Sequence, residues 1–384
     1  MSSYIPNGTV TIDGVDFTSN SINSVSIYYG RTNIWEQARA GYARIEILVT
    51  NNANNGFEIN DPIVITVDNS SGVPQTVFTG RLTDVSNQMS AVGASGEAAI
   101  QTITAIAPFA DMARKVVGLT PYPAEYDDAR LLAILTETGV TIDVVDTPGD
   151  YKFAARAAGA NDGYTLAALY AQMAFGYIYE TTDGKVGYAN EAHRTTYVQT
   201  YGYTNIPESY ILWRGITSNR TLNDILNSIV LSYDVGNVTS SDATSIASYG
   251  EIASSVSTEL DLVAEAQIQA DRYVSLRSQP QTSLSSFTIA MASSALTNAD
   301  RDLLIDVSMG LPIQITGLPV PISPVTYKGF VEGWNLSFTR TEMFLSVATS
   351  DATFSLTPTR WQDVSASLIW SAVGPTVTWA TFDN

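Results

Sequence analysis

The chain contains no cysteine. Disulfides, thiolate metal sites and cysteine nucleophiles are therefore excluded. Such a protein is indifferent to redox compartment, which suits one made in a cytoplasm that later works outside it. Histidine is almost absent too. His193, in Glu191-Ala-His-Arg194, is the only one, so no paired-histidine metal site can form. Basic residues are scarce: 19 Lys and Arg stand against 38 Asp and Glu, giving a net charge of −19 and a pI near 4.3. A nucleic-acid surface reader needs a basic footprint, and this chain lacks one. An acidic wall could still face nucleic acid as a non-stick surface.

Long apolar runs are missing as well. None approaches the roughly 18 residues of a membrane span. The N-terminus, Met1-Ser-Ser-Tyr-Ile-Pro-Asn-Gly, lacks the basic and then apolar regions of a signal peptide. Catalytic motifs are also absent: there is no Gly-x-Ser-x-Gly, no Gly-x-Gly-x-x-Gly and no P-loop. His193 could serve a Ser/His/Asp triad, which is defined by geometry. With no nucleophile elbow it reads instead as a surface or strand-end histidine after a hairpin. Paired carboxylates could cleave glycosides, but 38 acids guarantee accidental pairs and single out none. Asn51-Asn-Ala-Asn-Asn-Gly56 lacks the carboxylates and closing Glu of a calcium loop and reads as a turn. Asp183-Gly-Lys185 reads as a hairpin turn. The expectation is no catalytic, cofactor-binding or metal-binding residue, and no cofactor.

What is present is a repeat. Asp61-Pro-Ile-Val-Ile-Thr-Val leads after a turn into Thr76-Val-Phe-Thr-Gly-Arg-Leu-Thr-Asp-Val85. Leu311-Pro-Ile-Gln-Ile-Thr-Gly leads after a turn into Thr326-Tyr-Lys-Gly-Phe-Val-Glu-Gly-Trp334. Pro62 matches Pro312, Ile63 matches Ile313, Ile65 matches Ile315, Thr66 matches Thr316 and Gly80 matches Gly329. Ile63, Ile65 and Val67 share one face at period two, as half-buried strands require. The offset from Pro62 to Pro312 is far too long for a solenoid period and suggests one β-domain used twice.

The remainder divides around these copies. A chain of 384 residues, 45% hydrophobic and 15% charged, can fill two or three cored domains. Residues 1–107 read as a first β-domain, with strands spaced by polar turns at Asp13-Gly14, Gly30 and the Asn-rich loop. Residues 108–200 read as an α+β insert. Its helices begin at Pro108, run from Tyr126 to a cap at Gly139, and run from about Asp162 to Phe175 with Gly176 as cap. A hairpin turning at Asp183-Gly184 follows. Residues 201–358 read as the second β-domain. There a capped turn precedes the strand Ser228–Tyr233, 236–258 is an exposed Ser/Thr/Ala-rich connection, 262–277 is a helix, and Thr297-Asn-Ala-Asp300 is a polar turn. Residues 359–384 form a Trp-rich arm. Trp361, Trp370 and Trp379 recur every nine residues, as strands folding back on the second β-domain or as an arm docking on a neighbouring subunit. The fold class is mainly β with a small α+β insert: two related tube-like β-barrel or sandwich domains.

In its order, the chain resembles the tail-hub (baseplate-hub, or minor tail) proteins of tailed bacteriophages. The resemblance rests on Gly30-Arg-Thr-Asn-Ile-Trp35, Ala40-Gly-Tyr-Ala-Arg-Ile-Glu-Ile, Val77-Phe-Thr-Gly-Arg-Leu-Thr-Asp84, and the hairpin Phe175–Lys185. It continues through the helix Ala264–Arg277, Ile313-Gln-Ile-Thr-Gly-Leu-Pro, Gly329-Phe-Val-Glu-Gly333 and the Trp-containing tail. It implies a structural role without enzymatic activity. Two tube-like barrels per chain would let a homotrimer present six similar positions, adapting a six-fold tail tube to a three-fold tip. Implied partners are further copies of the chain, the tail tube or distal tail protein, the tape-measure protein and tip or receptor-binding proteins. DNA would cross the lumen only transiently. The implied location is the virion tail tip, after assembly in the host cytoplasm. The alternatives are a receptor- or carbohydrate-binding module, suggested by 20 Tyr and 6 Trp, and a cell-wall hydrolase.

Overall fold

The computed structural model describes residues 7–18, 21–50, 56–91, 98–212, 216–220, 222–280, 283–319, 322 and 325–355. The three tryptophans of the proposed arm and Asn51–Asn55 lie outside them.

Alternating apolar residues build the strands as expected. In β5 (Pro62–Asp68), Ile63, Ile65 and Val67 are fully buried while the residues between them are only half-covered. Six further strands complete the N-terminal region: β1 (Gly8–Ile12), β2 (Val15–Thr18), β3 (Ile22–Gly30), β4 (Arg39–Thr50), β6 (Pro74–Ala91) and β7 (Ala98–Ile106). Asp13 and Gly14 take φ of 46° and 79°, the two left-handed residues that a tight β1–β2 hairpin needs. The C-terminal region contributes β8 (Thr204–Pro207), β9 (Thr217–Asn219), β10 (Ser283–Ala290), β11 (Pro312–Thr316), β12 (Thr326–Thr339) and β13 (Met343–Asp351).

The repeat is real in three dimensions. Ile63 lies opposite Gly80 and Ile65 opposite Phe78; Ile313 lies opposite Gly329 and Ile315 opposite Tyr327. Each second strand then carries a bulge three residues past its glycine, at Thr83 in β6 and Glu332 in β12. Beyond the bulge the registers still agree, with Val85 opposite Ile103 and Trp334 opposite Val347. The glycines do the same work in both copies. A Cβ on Gly80 would meet the Ile106 carbonyl at 2.3 Å and the Phe78 ring; one on Gly329 would meet the Ser350 carbonyl at 2.4 Å and the Tyr327 ring.

The mainly-β class with an α+β insert holds, but the two β-regions are not separate closed barrels. β3 pairs along β12, from Gly30 opposite Gly333 to Ser24 opposite Thr339, and fuses them into one thirteen-stranded sheet. Its order is β9-β10-β13-β12-β3-β4-β7-β6-β5-β1-β2, with β8 and β11 branching from β12. This joint, between strands from opposite ends of the chain, needs close approach. Gly30, at φ +88°, lets the backbone of Glu332 and Gly333 come within the space a Cβ would occupy.

The insert contains α1 (Pro108–Met112), α2 (Asp127–Thr138), α3 (Gly163–Met173) and α4 (His193–Tyr201), together with the hairpin Tyr177–Glu180/Val186–Ala189. Gly139 caps α2 in the left-handed conformation, at φ +71°, as read from sequence. After α3 it is Phe175, at φ +54°, that turns left-handed, not Gly176. Gly176 is needed for another reason: a Cβ there would strike the Ala189 carbonyl and the Tyr188 ring. His193 starts a helix instead of ending a strand. The helix carries poor helix formers and no side-chain cap, so little in its sequence announces it.

Two further readings are corrected. Residues 236–258 are not a bare connection. Gly236–Ser241 and Ala253–Ser257 flank the strand Ser228–Tyr233 in a three-stranded sheet, with α5 (Ala243–Tyr249) between them and α6 (Val263–Arg277) packed across it. Both outer strands are largely exposed and rich in Ser, which erases the apolar alternation. Thr297–Asp300 is no plain turn either. It is a capping box that opens α7 (Asn298–Ile305). No described helix is long and apolar enough to cross a membrane.

Candidate functional site

The three chain regions meet at one buried charge cluster. Arg31 follows β3, Arg194 lies in the first turn of α4, and Glu332 is the bulge residue of β12. Glu332 is fully buried and both arginines are nearly so. Arg31 Nε donates to Glu332 Oε2 at 2.6 Å, and Arg194 donates from Nη1 to Oε1 at 2.8 Å and from Nη2 to Oε2 at 3.0 Å. Ser350 Oγ donates to Oε1 as well. The Arg31 amide donates to the Glu332 carbonyl at 2.9 Å, continuing the β3–β12 joint. Both guanidinium groups lie near the Tyr177 ring, at 5.3 and 4.9 Å, and Arg194 also lies 4.8 Å from the ring of Phe330. Burial alone would raise the Glu332 carboxyl; the charges of Arg194 and Arg31 outweigh it and hold the group down at about 2. This is a geometric clamp between the three regions, and its two arginines also line the adjoining cleft.

A second buried carboxylate ties the insert to the first β-region. Glu180 accepts from the Gly41 amide at 2.6 Å and the Phe109 amide at 2.5 Å. Burial pushes its pKa up to about 8 in spite of these two donors.

Beside the clamp lies a cleft of about 340 Å³ lined by Trp35, Phe175, Glu191, Arg272, Tyr273 and Arg277 among others. Among the described residues on its wall, Glu191 is the only carboxylate. It is ion-paired to Arg272 and accepts from the Tyr151 hydroxyl. The aromatics are engaged too: Trp35 packs edge-on against Phe354 and under Arg277, and Tyr273 packs on Phe175. Converging carboxylates for glycoside cleavage are not found among these residues.

His193 pairs through Nδ1 with Asp146 at 2.7 Å and packs against the rings of Tyr177 and Tyr197. No serine or threonine hydroxyl is among these contacts. Asp183 and Lys185 form an ion pair inside the hairpin turn, where Gly184 has φ +82°. Among the described residues, no group of three or more His, Asp or Glu side chains is placed to hold a metal ion.

The opposite surface of the fused sheet is polar. Ser26 and Asn335 bond across the β3–β12 joint at 3.0 Å, and Thr288 and Ser346 bond across β10–β13 at 2.9 Å. Over β3, β4, β7, β10, β12, β13 and the second half of β6, the charged residues on this face among the described residues are Arg39, Arg44, Glu46, Asp84 and Lys328. The excess of acids is therefore not displayed on it.

No protein-family model matches the chain, and no curated protein matches it in sequence. Solved structures do match. The 43 kDa tail protein of prophage MuSo2 from Shewanella oneidensis has a TM-score of 0.63 at 9% identity, over 91% of this chain and 99% of that one. The tail protein from Neisseria meningitidis MC58 has a TM-score of 0.64 at 10% identity, over 92% and 98%. Prophage tail protein gp18 from Listeria monocytogenes EGD-e has a TM-score of 0.53 at 9% identity, over 90% and 95%.

The chain has the phage tail-protein fold. At identities this low the likeness is one of fold, and the resemblance read from the sequence holds at that level. Coverage of nine-tenths or more on both sides means that the phage-tail fold includes the insert as well as both β-regions. The motif Gly329-Phe-Val-Glu-Gly333 was legible in the sequence, but its acid did not stand out. A lone Glu in an otherwise apolar strand was the available signal; its partners, 301 and 138 residues away, left none.

Proposed function

We propose that this chain is a structural tail-hub protein without enzymatic activity. It forms a ring at the tail tip, joins the tail tube to the distal tip and receptor-binding proteins, and lets the tape-measure protein and then DNA pass. The observation that carries this reading is the in-register duplication fused into one sheet. Two equivalent strand sets per chain, already joined side by side, are what three chains need to present six similar positions around an axis. The polar, sparsely charged face of that sheet suits a wall past which a polymer slides, because it offers few fixed charges to hold phosphates. Assembly in the host cytoplasm and residence in the virion tail follow from the same role. The chain divides for this purpose into the β-regions 1–107 and 201–358, the insert 108–200 and the arm 359–384.

A reconstruction of the intact tail tip tests the reading. Three copies around the axis, with both β-regions in one pseudo-six-fold ring, are expected. Six copies would make the chain an adaptor or tube-ending ring. A peripheral position would overturn the hub and favour receptor binding.

A further inference from the structure

Four of the chain's 19 basic residues line the cleft beside the clamp: Arg31, Arg194, Arg272 and Arg277. No lysine is among its described lining residues. Two carboxylates answer these arginines, Glu332 behind the wall and Glu191 on it. Four guanidinium groups against two carboxylates leave the cleft positive, in a chain whose net charge is −19. The pairing is also uneven. Glu332 holds Arg31 and Arg194, and Glu191 holds Arg272. Arg277, the last residue of α6, has no ion pair among the described residues. Its Nε donates to the Asp224 carbonyl at 3.1 Å, and its guanidinium lies 4.4 Å from the centre of the Trp35 ring. Burial lowers its pKa and the charge of Asp224 does not offset this, so the cation is short of a counter-charge. Around the arginines, Ile34, Trp35, Met173, Phe175, Leu276 and Phe354 supply an apolar lining.

We propose that this cleft binds an acidic side chain of a partner protein, presented next to an apolar residue, with Arg277 taking the carboxylate. A guanidinium fork matches a carboxylate with two parallel hydrogen bonds and sheds its hydration more readily than an ammonium. A volume of about 340 Å³ lies near the lower end of ligand pockets, room for about one or two side chains. A bare inorganic anion would leave the apolar lining unused, and an extended polyanion would meet the repulsion of the chain's net charge. A single carboxylate beside an apolar side chain uses both the charge and the lining. The site needs only one copy of the chain, so it stands independently of the ring reading.

The test titrates the full-length chain with the peptide acetyl-Gly-Phe-Glu-Gly-amide and with its Gln twin, followed by saturation-transfer NMR, which reads binding into the millimolar range. The Glu peptide is expected to bind about tenfold more tightly at low salt. Arg277→Gln should abolish that preference and Arg277→Lys should restore part of it, with far-UV circular dichroism as the folding control. Inorganic phosphate and phenylacetate are competed against the Glu peptide on the unaltered chain, a measurement that needs no variant to fold. Both are expected to compete more weakly than the peptide itself. Displacement by phosphate at equal concentration would make the cleft a bare oxyanion site and overturn the proposal. Tighter binding of phenylacetate than of the peptide would make the ligand a free small acid, and would overturn the protein partner. Equal binding of the two peptides, no binding of either, or a preference that survives in folded Arg277→Gln would overturn the assignment of Arg277.

Discussion

Two buried glutamates in this chain respond to pH in opposite senses. Glu332 is held low, at about 2, by Arg194 and Arg31 against the effect of burial. Its folded pKa lies below its unfolded value, so its contribution is fully present above about pH 4.5 and is lost as pH falls toward 2. Glu180 is raised by burial to about 8. Its contribution is fully present below about pH 4.5 and is lost as pH rises through 8. Glu332→Gln leaves two guanidinium charges buried without a counter-charge, and it should cost about 3–5 kcal/mol in urea unfolding at pH 7. Removing the exposed Arg44–Glu46 pair by Arg44→Ala should cost no more than about 1 kcal/mol; equal losses would show that the clamp does not secure the joint. Glu180→Gln should flatten the fall in urea midpoint between pH 5 and pH 8. An unchanged slope would mean that Glu180 does not titrate in that window.

At the scale of elements, the duplicated strands make a paired prediction. Gly80→Ala and Gly329→Ala each drive a Cβ into a neighbouring strand's carbonyl and an aromatic ring. Both should destabilise by about 1–3 kcal/mol, and by similar amounts, in chemical denaturation. Loss in one and not the other would mean that matching register does not bring matching packing. These strands were legible because Ile63, Ile65, Ile313 and Ile315 alternate with more exposed residues and repeat in order. The helices α3 and α6 were legible from their periodicity, and α2 from its leading acids and capping glycine. The β3–β12 joint was not, since nothing local in Ser24–Gly30 names a partner near the other end of the chain. Gly236–Ser241 and Ala253–Ser257 were not, since exposure leaves them no apolar period. The capping box at Thr297 was visible as a polar cluster, but its meaning depended on the helix after it. The clamp was invisible as a unit, because long-range ion pairs leave no spacing.

For the whole molecule, the two joints predicted for a ring are unequal, and the inequality sets how it comes apart. The joint within the chain buries Trp334, Leu336 and Phe338, closes Gly30 against Gly333, and is locked by Glu332 between two arginines. A contact between chains at the equivalent, open edge of β6 would present Val85, Asn87 and Met89, with Thr83 in place of Glu332 and Asp84 in place of Gly333. It therefore gains less from apolar burial and has no equivalent charge clamp. On the proposed hub reading, the chain should fold first as a complete two-region monomer and assemble afterwards. Diluting the isolated ring should release monomers whose far-UV circular dichroism and urea midpoint match those of the assembled chain apart from mass action. If dissociation instead coincides with loss of the sheet signal, the contact between chains carries part of the folding energy and the two joints are energetically alike.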